Sequence, residues 1–74
     1  MNEIAVLRAD YYKDGTIIPI LITFSNGKTE AISSVKKLKR EDNGRRYVIH
    51  CTTPARELIL HFQNAKWVVE VVKS

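Results

Sequence analysis

The sequence predicts an all-β domain: a six-stranded antiparallel meander forming a small, SH3-like or similar barrel, or a strongly curved sheet. Three observations carry this. Turn signals recur at short intervals, at Asp14-Gly15, Asn26-Gly27, Asn43-Gly44, Thr53-Pro54-Ala55 and Gln63-Asn64-Ala65. Asn-Gly and Asp-Gly suit the positive φ values of tight hairpin turns. The segments between them are rich in Ile, Val, Thr, Tyr and Phe, side chains that fit a pleated, half-buried surface. Two of those segments are apolar on both faces, and such strands find cover on both sides when the sheet curls around a shared core.

Strands are expected at about 3–11, 16–24, 28–39, 45–52, 56–62 and 66–73. The first ends in Tyr11-Tyr12, which place one ring on each face, so at least one ring reaches the surface. In the second, Ile18, Ile20, Ile22 and Phe24 oppose Ile17, Pro19, Leu21 and Thr23, leaving both faces largely apolar. Pro19 lacks an N–H donor and belongs at an edge, a bulge or a barrel seam. In the third, Ile32, Val35 and Leu38 recur every three residues, which breaks strand alternation. Two accounts compete there: a short helix capped by Ser33 or Ser34, and a long bent strand with a bulge. The bent strand is favoured, because the flanking hairpin turns leave little length for a helix.

The fourth strand sets Tyr47, Ile49 and Cys51 against Arg46, Val48 and His50, and the fifth sets Leu58, Leu60 and Phe62 against Glu57, Ile59 and His61. The last, Trp67-Val68-Val69-Glu70-Val71-Val72, is apolar on both sides apart from Glu70. Trp67 and one tyrosine are expected to fill the interior. A flat sheet of these strands would leave an apolar face for a dimer, and burial of Val69 and Val71 within the protomer would argue against that.

Seventy-four residues make one domain, 1–74, too small for a cleft between lobes. The single cysteine cannot form an internal disulfide, which excludes a disulfide-stapled secreted scaffold. No run approaches the ~20 apolar residues of a membrane span, and MNEIAVLRAD does not read as a signal peptide. A cytoplasmic module without membrane contact is expected.

The net charge of +4 is concentrated. Residues 35–46 carry six cations, Lys36, Lys37, Lys39, Arg40, Arg45 and Arg46, against Glu41 and Asp42, while the rest of the chain is balanced. Such a hairpin can attract a polyanion, because each neutralised phosphate releases counterions. An exposed tyrosine alongside would add base stacking. The alternative is that the basic side chains keep an exposed hairpin soluble and discourage edge pairing.

The landmarks together resemble a group of short single-domain β proteins of Gram-positive bacteria. They are Asp14-Gly15-Thr16-Ile17-Ile18-Pro19-Ile20, Asn26-Gly27-Lys28, the spaced Ile32, Val35 and Leu38, Gly44-Arg45-Arg46-Tyr47 and Lys66-Trp67-Val68-Val69-Glu70. The resemblance spans 13–70 and rests on turn and core residues; Ser33 and Ser34 depart from it, standing where that pattern has an acidic residue. It implies a single small β domain and no catalytic residue.

No catalytic constellation is legible. His50 and Cys51 are adjacent and face opposite ways on a strand, so they cannot act as base and nucleophile, and Cys51 reads as buried. His50 and His61, even with Glu57, make a poor metal site. No phosphate loop, nucleophile elbow or Cys-x-x-Cys occurs. The expectation is a non-enzyme without cofactor or metal. It either binds nucleic acid non-specifically through the basic hairpin, or serves as a protein-interaction or homodimeric module.

Overall fold

The computed structural model describes residues 2–73. Its elements are β1 (Asn2–Tyr11), β2 (Ile17–Thr23), β3 (Thr29–Ala31), β4 (Ser34–Glu41), a 3-10 turn (Asp42–Gly44), β5 (Arg46–Thr52), β6 (Glu57–Gln63) and β7 (Lys66–Lys73). They form one antiparallel sheet in the order β3-β2-β1-β7-β6-β5-β4, curled into a half-barrel. Among the described residues no helix is long and apolar enough to cross a membrane.

The strand count is seven rather than the expected six, because the predicted third strand divides. Ile32 N donates to Ile20 O at 2.9 Å, whereas Ser33 N donates to Thr52 O at 2.7 Å. Adjacent residues thus bond to opposite ends of the sheet. Upstream, Thr29–Ala31 pairs with β2; downstream, Ser34–Glu41 pairs with β5. As β2 and β5 diverge around the core, one straight segment cannot follow both, and it changes partners at this corner. The segment is extended throughout, as the bent-strand reading required, and no helix forms across 32–40.

Two bulges explain the irregular sequence patterns. Between Val35 and Lys37 the β4–β5 register slips, so Lys36 is an extra residue on β4. Val35 opposes Cys51 and Leu38 opposes Ile49, both core positions. The extra residue turns a period of two into a spacing of three. On β2, Leu21 opposes Arg8 while Pro19 opposes Ala9, leaving Ile20 over. Ile17 and Pro19 are buried before the slip, Ile22 and Phe24 after it. The apparently two-faced second strand is one inward face whose phase shifts at Ile20.

Elsewhere alternation holds. Ile49, Cys51, Leu58, Leu60 and Val69 are sealed from solvent, and Val71 packs against them. Each fully buried Leu or Ile contributes about 1.5–3 kcal/mol relative to exposure. Trp67 is buried with its ring centroid 4.9 Å from Phe62, which lies 6.2 Å from half-buried Tyr47, so these three rings fill one end of the core.

The meander sends alternate turns to opposite ends. The 12–16, 42–45 and 64–65 turns lie at the upper end; the 24–28 and 53–56 turns lie at the lower end. The β6–β7 turn holds Asn64 and Ala65 at φ of 53° and 62°, and Ala65 has no side-chain polarity to favour that left-handed region.

Candidate functional site

The basic hairpin is β4, its 3-10 turn and β5. Lys37 opposes His50, Lys39 opposes Val48 and Glu41 opposes Arg46, all on the outer face, because Ile49 and Cys51 claim the inner one. The bulge turns Lys36 outward beside Lys37, and its Nζ donates to Glu57 Oε1 at 2.5 Å. Lys39 Nζ lies 3.9 Å from Glu41 Oε2. Exposed pairs of this kind each contribute about 0–1 kcal/mol and leave the cations accessible. Four of the six cations, Lys36, Lys37, Lys39 and Arg46, therefore share one face.

Arg40 does not join them, and Arg45 belongs to the turn beyond the strands. Arg45 ends the 3-10 turn, where its N–H donates to Asp42 O at 3.1 Å. Arg40 opposes Tyr47 and extends its guanidinium over Gly15, where a Cβ would overlap it. Gly15 has φ of +91°, so the backbone calls for glycine, while the flexible end of Arg40 could swing aside from a Cβ. The neighbouring Asp14 carboxylate is held below its ordinary range. The bonds it accepts from Thr16 are the main cause, and the Arg40 charge adds a smaller effect.

Among the described residues no aromatic ring joins the outer cations. Tyr47 packs inward with Phe62, while Tyr11 and Tyr12 are exposed at the upper end, beside the Asp14-Gly15 turn. The sequence could not reveal this, since ring placement depends on which face the core claims.

A seam lies beside this hairpin, at the place that Pro19 suggested as an edge, a bulge or a barrel seam. β2 and β4 share no ladder above the corner at Ile32-Ser33, so β4 has a strand partner on one side only, and so do residues 17–19 of β2. Ile18, Ile20 and Val35, 46%, 39% and 42% exposed, flank this opening. At its upper end the Arg40 side chain reaches across it to Gly15. The signal in the sequence was Pro19 and the paired slips in alternation, both marks of an interrupted ladder.

The lower end is closed by a cluster that sequence reasoning missed. Arg56 Nη2 and Nε donate to Glu30 Oε2 and Oε1 at 2.5 and 3.3 Å, and the guanidinium lies 5.0 Å from the Phe24 ring centroid. Buried Thr53 donates through Oγ1 to Glu30 Oε1 at 2.8 Å, and Oγ1 accepts from Ala55 N and Arg56 N, each at 3.2 Å. Burial pushes the Glu30 carboxyl up, but the Arg56 and Thr53 bonds outweigh it and leave it below the ordinary value of 4.5. Carboxylate, guanidinium and hydroxyl are all engaged with one another, so the cluster acts as a clasp.

The remaining titratable groups face different ways. Cys51 is sealed in the core, and burial pushes its thiol up to about 11, far from thiolate reactivity at neutral pH. His50 and His61 both lie on the outer face, where His61 Nε2 sits 3.1 Å from Glu70 Oε1. Among the described residues no group of three His, Cys, Asp or Glu side chains gathers as metal ligands would.

No family model, curated protein or solved structure matches the chain. Its function is accordingly read from its own surface.

Proposed function

We propose that this protein is a small non-catalytic β module that binds another polypeptide. The observation that supports this is the exposure of large apolar side chains in two groups. Ile18, Ile20 and Val35 flank the seam, while Ile4 and Val6, 56% and 69% exposed, lie on the outer face of β1. An antiparallel sheet with a solvated face ordinarily presents polar residues there, and grouped apolar ones mark a contact surface. Self-association could not use the inner face of β7, because Val69 is buried and Val71 is packed within the protomer. The test is selection of peptides from a displayed random library against the folded protein, with bound peptides mapped by amide NMR. Recovered peptides that shift residues around either group support the reading. Failure to enrich any peptide above a charge-matched control counts against it.

A second reading is non-specific nucleic-acid binding through the basic hairpin, and the bulge that gathers Lys36, Lys37, Lys39 and Arg46 on one face favours it. These cations would contact phosphates, with Arg40 and Arg45 contributing from the sides and little base specificity. Four phosphate contacts correspond to a slope of log K against log salt of about −3 to −4. Absence of binding to single- and double-stranded oligonucleotides at about 50 mM salt would remove this reading. Either role suits a cytoplasmic protein without cofactor or metal.

A further inference from the structure

We infer that the seam between β2 and β4 accepts an extended acidic segment of a partner polypeptide, which adds to the edge of β4 as a further strand. This rests on the polypeptide-binding reading above and names its place and partner.

β4 supplies the backbone. It runs eight residues, Ser34–Glu41, contains no proline and pairs with β5 alone. In an antiparallel pair the N–H and C=O groups of alternate residues point away from the partner, so β4 presents a row of these groups to the opening. The facing edge of β2 is poorer, because Pro19 offers no N–H and the ladder slips beside it. The other terminal strand, β3, has three residues. Strand addition therefore favours β4.

The side chains define the occupant. An added strand would alternate its residues between the two sides of the sheet. On the outer side its neighbours are Lys36, Lys37 and Lys39; toward the core they are Val35, Leu38 and Arg40. Acidic residues facing out and apolar residues facing in satisfy both rows. A second copy of this chain does not suit the edge, since pairing β4 with β4 would bring like lysine rows together. The lysines that disfavour self-pairing thus favour an acidic strand. Arg40 spans the upper end with a flexible, exposed side chain, and it can leave Gly15 to pair with an incoming carboxylate without breaking a backbone bond.

The experiment uses the full chain and two synthetic peptides of roughly ten residues, one alternating Glu and Val and its counterpart alternating Lys and Val. The Glu-Val peptide is expected to shift the amides of 35–41 and slow their hydrogen exchange, while the Lys-Val peptide does neither. K37E/K39E, checked for folding by circular dichroism, should weaken binding about tenfold or more, and R40Q provides an independent variant with a smaller loss in the same direction. Shifts confined to the Ile4 and Val6 face would overturn the seam assignment while leaving the polypeptide-binding reading standing. Failure of these peptides together with failure of the library selection would overturn both. If a single-stranded oligonucleotide shifts β4 and the Glu-Val peptide does not, the edge is a nucleic-acid contact and the inference falls. It also falls if the free protein dimerises through β4, seen as a concentration-dependent mass that K37E/K39E changes.

Discussion

The two ends of the seam solve the same problem with different chemistry. At the lower end a carboxylate, a guanidinium and a hydroxyl, shielded by Phe24 and the sheet corner, join the β2–β3 segment to the β5–β6 turn. At the upper end one exposed guanidinium lies over a glycine. Both contacts use arginine, yet only the lower one combines partial burial, paired hydrogen bonds and a saturated acceptor. The comparison teaches that bond geometry and shielding, more than the presence of charge, decide where this sheet stays closed.

Four substitutions and one titration probe the contrast. The largest effect is expected from Arg56→Met at the lower end. It leaves the Glu30 carboxylate partly desolvated without its guanidinium partner and should cost about 1–3 kcal/mol, or roughly 5 °C or more in Tm. Gly15→Ala follows at about 1–2 kcal/mol, because a positive φ penalises a Cβ, while the flexible Arg40 side chain can move aside at little cost. Should Gly15→Ala prove as tolerable as an ordinary surface change, the positive φ does not constrain the turn. Ala65→Gly, in the neighbouring turn, should move the other way and raise stability by up to about 1 kcal/mol in urea unfolding. The smallest effect belongs to Arg40→Gln, within about 0.5 kcal/mol of wild type. A loss comparable to that of Arg56→Met would erase the distinction between the ends.

Acid titration sharpens the same contrast. The folded Glu30 carboxyl lies below its ordinary value of 4.5, so its stabilising contribution is present above that value and fades as pH falls through the folded one. Wild-type stability should therefore converge toward that of Glu30→Gln as pH drops below about 4.5. A difference between the two that stays constant from pH 7 down through that range would show that the carboxylate charge does not hold the clasp.

Much of the architecture was legible because turns and strands are local. Asp14-Gly15, Asn26-Gly27 and Asn43-Gly44 each fall at a chain reversal, and Leu58, Leu60, Ile49 and Cys51 face inward as alternation requires. The division of 28–39 was not legible, because it depends on the divergence of β2 from β5, strands remote from it in the chain. Which face each cation of the basic stretch takes was not legible for a related reason. Sequence proximity put Arg40 among the lysines, but the strand period turns it to the opposite face from Lys39. The Glu30–Arg56 clasp joins residues from distant hairpins, and no local pattern announces it.

The ladder between β1 and β7 has a kinetic consequence. Every other ladder joins segments that are neighbours along the chain, whereas this one sets Asn2 against Glu70 and Ala5 against Trp67. Forming it closes a loop of nearly the whole chain, and that closure entropy is met before the contacts repay it. Hairpins can therefore assemble early within β4–β7 and within β1–β3, while the docking of β1 on β7 governs the overall rate, in roughly milliseconds to seconds. Trp67 is buried at that junction, so its fluorescence reports the moment at which two local pieces become one cooperative domain.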